Sequence, residues 1–140
     1  MKLKMTDEIK TQDELTRWVK EQFQRANKHL AEKGILFDTV VTQESRYMAP
    51  DVAIWKIKDT KKDFYWVISG DLPADALPAS AANSAREAIR HFSLSWQLRA
   101  ENILNIASSD DIQKDFAAIL TNKAELLYQL QENEKWWQEG

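Results

Sequence analysis

His29 and His91 are the only imidazoles in 140 residues, and no cysteine accompanies them. A metal site would have to bring both together and complete the shell with carboxylates, because a bound transition metal takes three or four N, S or O ligands from the protein. Nothing in the spacing suggests this, so neither a metal nor another cofactor is expected. The lack of cysteine also removes thiolate nucleophiles and disulfides, and it fits a reducing compartment. Glycine occurs only at Gly34, Gly70 and Gly140, too few for a phosphate-cradling loop, a dinucleotide fingerprint or a nucleophile elbow. These absences weigh against an enzyme.

Two groups of residues remain that could bind a small molecule. Ser69-Gly70-Asp71 closes a strand-like run just before a proline-rich stretch. There Gly70 can take a positive φ or admit a ligand to the backbone, and Asp71 can accept hydrogen bonds or meet a cation. Turn chemistry alone also explains a Gly-Asp pair. Arg86, Arg90, Ser93, Gln97 and Glu101 recur at three- and four-residue steps, with Glu87 and His91 beside them. Two arginines one helical turn apart can grip a carboxylate or phosphate, and a neighbouring histidine can carry a proton near neutral pH. A solvated helix face whose arginines pair with nearby acids fits the same pattern.

A third and a fourth segment suit an interface better than a ligand. Arg46-Tyr47-Met48 mixes a cation, an aromatic ring and a flexible apolar chain in what reads as a loop or lid. Trp136-Trp137 are adjacent, and neighbouring residues on a helix point about 100° apart, so one core face does not take both fully. One is left for a helix end or a second subunit.

The elements that must position these groups follow from periodicity. Thr11-Gln12-Asp13-Glu14 forms a capping box, and Leu15, Trp18, Val19, Phe23, Ala26 and Leu30 recur at helical spacing until Gly34 ends the helix, with Ile35 placed to fold back on its last turn. Residues 39–44 are rich in β-branched side chains and predict a first strand. Val52–Lys58 and Asp63–Ser69 predict a hairpin across a polar turn of Asp59, Thr60, Lys61 and Lys62. Pairing Ile57 with Phe64 sets Trp55 opposite Trp66 and Ala53 opposite Ile68, a single apolar face against which helices would pack. The other face is expected to be half exposed.

Leu72–Pro78 reads as a rigid connector. A long helix is expected from about Ser80 to Ala107, its core stripe running from Ala85 through Ile89, Phe92 and Trp96 and its body lying over the Trp55/Trp66 face. Ser108-Ser109-Asp110-Asp111 caps a last helix that runs to about Trp137. Its stripe is Ile112, Phe116, Ile119, Leu120, Leu126, Leu127 and Leu130. The expected architecture is α+β: a three-stranded antiparallel meander covered by three helices, in the order α-β-β-β-α-α. One domain spans residues 1–140, with 1–10 loose.

The totals agree with such a fold. Apolar residues are 44% and charged residues 29% of the chain, a composition able to bury a core. No apolar run approaches the ~20 residues that cross a bilayer, and the start turns acidic before any signal-peptide core. A net charge of −3 with dispersed lysine and arginine speaks against nucleic acid as a partner. Six tryptophans supply large rings for packing or for an interface.

Four segments carry a family resemblance: Arg17-Trp18-Val19-Lys20-Glu21-Gln22-Phe23, Ser45-Arg46-Tyr47-Met48-Ala49-Pro50, Tyr65-Trp66-Val67-Ile68-Ser69-Gly70-Asp71-Leu72-Pro73 and Arg90-His91-Phe92-Ser93-Leu94-Ser95-Trp96-Gln97. The chain resembles a family of short, uncharacterised bacterial proteins classed as a domain of unknown function, over residues 14 to 137. The resemblance implies a bacterial, cytoplasmic protein and brings no activity or functional residue. The residues themselves favour a non-enzymatic binding or interaction protein that forms a homodimer or meets another protein. A small-molecule site near Asp71, Arg86, Arg90 and His91 is the alternative, and a toxin-neutralising inhibitor a further one.

Overall fold

Helix α1 runs from Gln12 to Glu32, and both of its ends are built as the sequence requires. Thr11 Oγ accepts from the Glu14 amide at 3.0 Å, satisfying one of the first-turn donors that a helix cannot pair internally. At the other end Gly34 adopts φ +79°. Its amide reaches the Ala31 carbonyl at 2.9 Å and the Ile35 amide reaches that of Leu30 at 3.0 Å, the two reverse bonds that close a helix through a left-handed residue.

The computed structural model describes residues 11–106 and 108–138. Residues 1–10, expected to be loose, and Ala107, expected at the end of the long helix, lie outside the described residues. The chain divides into two compact units, Met1–Ala85 and Arg86–Gly140.

In the first unit five strands follow α1: β1 (Phe37–Val40), β2 (Arg46–Met48), β3 (Val52–Asp59), β4 (Phe64–Gly70) and β5 (Asp75–Pro78). All pairs are antiparallel, in the order β1-β3-β4-β5, with β2 also on β3. The class is α+β as expected, and the expected meander survives as β1, β3 and β4 with two strands added. Residues 42–44, expected within the first strand, form a short 3-10 turn instead. That turn lets one edge pair with β3 in two pieces. Opposite Lys56 the ladder passes through a side chain: Ser45 Oγ accepts from the Lys56 amide at 3.0 Å and donates to the Val41 carbonyl at 2.9 Å. Arg46-Tyr47-Met48 is therefore a strand, not a lid. The expected connector holds β5, whose Pro78 sits at the end of an edge strand, where a missing amide breaks no central ladder.

The hairpin register departs from expectation by one residue. Trp55 pairs with Val67, and Trp66 pairs with Lys56, so the two indoles point to opposite faces. The turn explains it. Asp59 pairs with Asp63 through an amide-to-carbonyl bond of 2.9 Å, and the Lys62 amide reaches the Asp59 carbonyl at 3.0 Å. Only Thr60, Lys61 and Lys62 make the loop, Lys62 taking φ +71°, the three-residue geometry that ends in a left-handed position. Buried Asp59 fixes it, its Oδ1 accepting from the Lys61 and Asp63 amides at 3.0 and 2.8 Å. A single Trp55/Trp66 face for the long helix to cross therefore does not exist.

One face of the sheet carries Ala53, Trp55, Ile57 and Val67, packed with Ala26 and Leu30 of α1 and with half-buried Val19 and Phe23. Phe23 meets Trp55 edge-on at 5.2 Å. Full burial of a residue such as Leu30 contributes roughly 1.5–3 kcal/mol. The opposite face, expected to be half exposed, is buried at Val52, Ile54, Trp66 and Ile68, which is why β3 and β4 read as nearly unbroken apolar runs. Near its end Lys56 Nζ lies 5.4 Å from the centres of both the Phe64 and Trp66 rings and pairs with Glu44 at 3.0 Å.

The second unit is a helical hairpin. Helix α2 spans Ala85–Asn105, beginning five residues later than expected because Ala79–Ala81 forms a separate 3-10 turn. Helix α3 spans Asp111–Glu132, and the short α4 spans Glu134–Gln138. Asp110 caps α3 with a full reciprocal box, Asp110 Oδ1 accepting from the Gln113 amide at 2.8 Å and Gln113 Oε1 from the Asp110 amide at 3.0 Å. Ser93 Oγ donates to the Ala124 carbonyl at 2.7 Å and Arg86 Nε to that of Gln131 at 2.8 Å. These rivets set an antiparallel register in which residue 104 is level with residue 113. Small residues at Ser93, Ala117 and Ala124 permit the close approach.

Candidate functional site

Ser69 is buried at the end of β4, and both of its hydrogen-bonding capacities are used. Its hydroxyl donates to the Gln22 carbonyl at 2.9 Å and accepts from Trp55 Nε1 at 3.1 Å. Gly70 takes φ +136°, and a Cβ there would lie 2.3 Å from the Asp51 carbonyl oxygen. The Gly70 carbonyl accepts from one amine of Arg25 and the Leu72 carbonyl from the other, at 3.2 Å for the latter, while Gln22 Oε1 steadies the same guanidinium at 3.0 Å. The Asp71 amide donates to the Asp51 carbonyl at 2.9 Å, and its side chain is exposed. Ser69 and Gly70 thus belong to a clasp that ties α1 to the end of the sheet. The hydroxyl proton is thus held by a backbone carbonyl and not by a base of the kind that makes a serine a nucleophile.

Arg86 likewise has its donors committed. Besides the Gln131 carbonyl it reaches Glu134 through both terminal amines, at 2.7 and 3.3 Å. This fork raises the Arg86 pKa and lowers that of Glu134, the hydrogen bond between them being the main cause. The carboxylate it grips is the chain's own, at the α3–α4 junction. Arg90 and His91 are exposed on α2. His91 lines a shallow groove of about 490 Å³ with Leu94, Ser95, Leu98, Arg99 and Asn102, and Leu94 also borders a second groove of about 350 Å³ with Gln97, Thr121, Glu125 and Tyr128. Among the described residues, no group of three or more histidines, aspartates or glutamates is placed to hold a metal ion. None of their helices is long and apolar enough to cross a membrane.

Of the residues expected at an interface, Arg46 and Met48 are half-buried in β2, and Tyr47 is more open and tilted against Trp18 at 6.1 Å. Trp136 is buried. Trp137 is half-buried, donates Nε1 to the Leu130 carbonyl at 3.1 Å and meets Trp136 edge-on at 4.3 Å. The last helix, expected to run on to Trp137, breaks at Asn133, and the turn folds this pair back over the end of α3.

Periodicity misassigned one surface. Ile112, Phe116 and Ile119, expected in the core, are 79%, 38% and 47% exposed, and Leu104 and Ile106 at the same end of the hairpin are 55% and 53% exposed. The buried positions of α3 are Ala117, Leu120, Ala124, Leu127 and Leu130. The helix carries two adjacent apolar stripes, and only one is covered. The signal was in the sequence: seven large apolar residues on one 22-residue helix make a stripe wider than one packing face requires.

The chain belongs to the family described as Domain of unknown function (DUF4826), whose model matches residues 12–137. No curated protein and no solved structure matches it.

Proposed function

We propose that this member of the family is a non-enzymatic protein-interaction domain that meets its partner through the closed end of the α2–α3 hairpin. The observation that carries this reading is the exposure of Ile112, Phe116 and Ile119 along one side of α3, with Leu104 and Ile106 beside its start. Scattered surface leucines need no explanation, but a group of large apolar side chains at one end of a capped, hydrogen-bonded hairpin marks a contact site. The occupied hydrogen bonds of Ser69 and Arg86 favour it over a small-molecule site built on those residues. The proposed setting is the bacterial cytoplasm, supported by the family resemblance and the lack of cysteine.

Photo-crosslinking in cells tests it. A benzophenone amino acid at position 116 or 119 should yield discrete covalent adducts with protein. At Lys20, on the solvated side of α1, it should yield none. Absence of adducts at 116 and 119 in a well-expressed, folded protein would contradict the reading.

A further inference from the structure

We infer that the occupant of this face is a second copy of the same chain, with the two α3 helices antiparallel about a two-fold axis near Ile119. The inference rests on the interaction reading above and supplies its partner.

Three observations support it. Along α3, Ile112, Phe116, Ile119, Lys123, Leu126 and Leu130 follow at alternating steps of four and three, the spacing with which one helix presents knobs to another. Such a repeat drifts by roughly 20° per heptad around an α-helix. The seam accordingly starts in solvent at Ile112, is half-buried by Leu126 and ends buried at Leu130. Its open part faces outward, ready for a helix from elsewhere.

Area is the second. Leu104, Ile106, Ile112, Phe116 and Ile119 together leave on the order of 500 Å² uncovered, more than half of the ~800 Å² that each partner buries in a standard interface. A symmetric pair centred on Ile119 sets Ile119 on its own copy and Ile112 level with half-buried Leu126 of the partner subunit, and by symmetry does so for both copies.

Charge selects the orientation. Asp115 borders the seam and Lys123 lies within it, four residues before and after Ile119, about 6 Å along the axis in each direction. An antiparallel pair centred on Ile119 sets Asp115 against the partner's Lys123, and by symmetry does so twice. A parallel pair would set like charges together. The antiparallel arrangement also opposes the two helix dipoles.

Sedimentation velocity of the full chain from low to high micromolar concentration tests the inference. The wild type should pass from monomer to dimer. Phe116→Glu should hold it monomeric, with its fold verified by an unchanged circular dichroism spectrum. Asp115→Lys and Lys123→Asp should each weaken the dimer several-fold, and the double exchange D115K/K123D should restore it, because only facing copies of one chain regain opposite charges when both sites are swapped. A wild type that stays monomeric overturns the inference, as does a dimer indifferent to Phe116→Glu or a double exchange that fails to rescue. Should the monomer still crosslink through position 116 to a different protein, the inference falls and the interaction reading stands. Loss of both signals ends both.

Discussion

Trp55 and Trp66 stand on opposite faces of the β3–β4 hairpin, each tied by its indole nitrogen to a different acceptor. Trp55 donates to Ser69 Oγ at 3.1 Å and Trp66 to the Ala82 carbonyl at 2.9 Å. No hydrogen-bond partner is common to the two.

Replacing either tryptophan by phenylalanine leaves a buried acceptor short of a donor and should cost about 1–3 kcal/mol in urea unfolding. Because the rings share neither face nor partner, the double variant should equal the sum within about 0.5 kcal/mol. A coupling well above ~1 kcal/mol would place them in one cluster and contradict the register.

The two described glycines should respond differently to alanine. Gly34 has open space around it and only its φ of +79° to defend, whereas at Gly70 the new Cβ would meet the Asp51 carbonyl oxygen at 2.3 Å as well as a φ of +136°. Gly34→Ala should cost about 1 kcal/mol and Gly70→Ala about 3 kcal/mol or more, enough to threaten folding. Equal melting temperatures for the two variants would show the clasp to be looser than described.

Acid should weaken the first unit through His29. Partial burial, followed by the nearby Lys33, lowers its pKa below 6.5 against the opposing pull of Asp75 and Glu32, and its Nε2 is buried without a hydrogen-bond partner. Folding therefore favours the neutral ring. Its contribution is present above the ordinary value and lost as pH falls through the lowered one. Melting temperature should drop from about pH 7.5 to about pH 5, and His29→Gln should drop less over the same interval. Parallel curves for the two proteins would remove His29 as a source of the dependence.

Much of the fold was legible because its signals are local. Thr11, Gly34 with Ile35, and Asp110 each act within a few residues, and each marks the helix end expected of it. The hairpin partners were legible too, but their register turned on whether Asp59 belonged to the loop or to the strand. That single residue reverses every side chain on the strand. It is decided by an aspartate side chain gathering two amides, which strand propensity does not report. Strand β5 was masked by Pro73 just before it and by Pro78 at its end, where an edge strand tolerates the missing amide. At the clasp, Ser69 and Gly70 stand out by their residue types, while nothing in the sequence marks Arg25, which holds the loop. Ile112, Phe116 and Ile119 show the limit of periodicity: it finds an apolar stripe and does not say whether the cover comes from the same chain.

Thermal unfolding of the triple variant Ile112→Ser, Phe116→Ser, Ile119→Ser at about 1 µM, dilute enough to disfavour association, tests that last point most directly. If these side chains lie outside the chain's own core, the variant should melt within about 2 °C of the wild type, as surface substitutions do. A fall of roughly 10 °C or more, the size expected when several core side chains are truncated, would contradict the account.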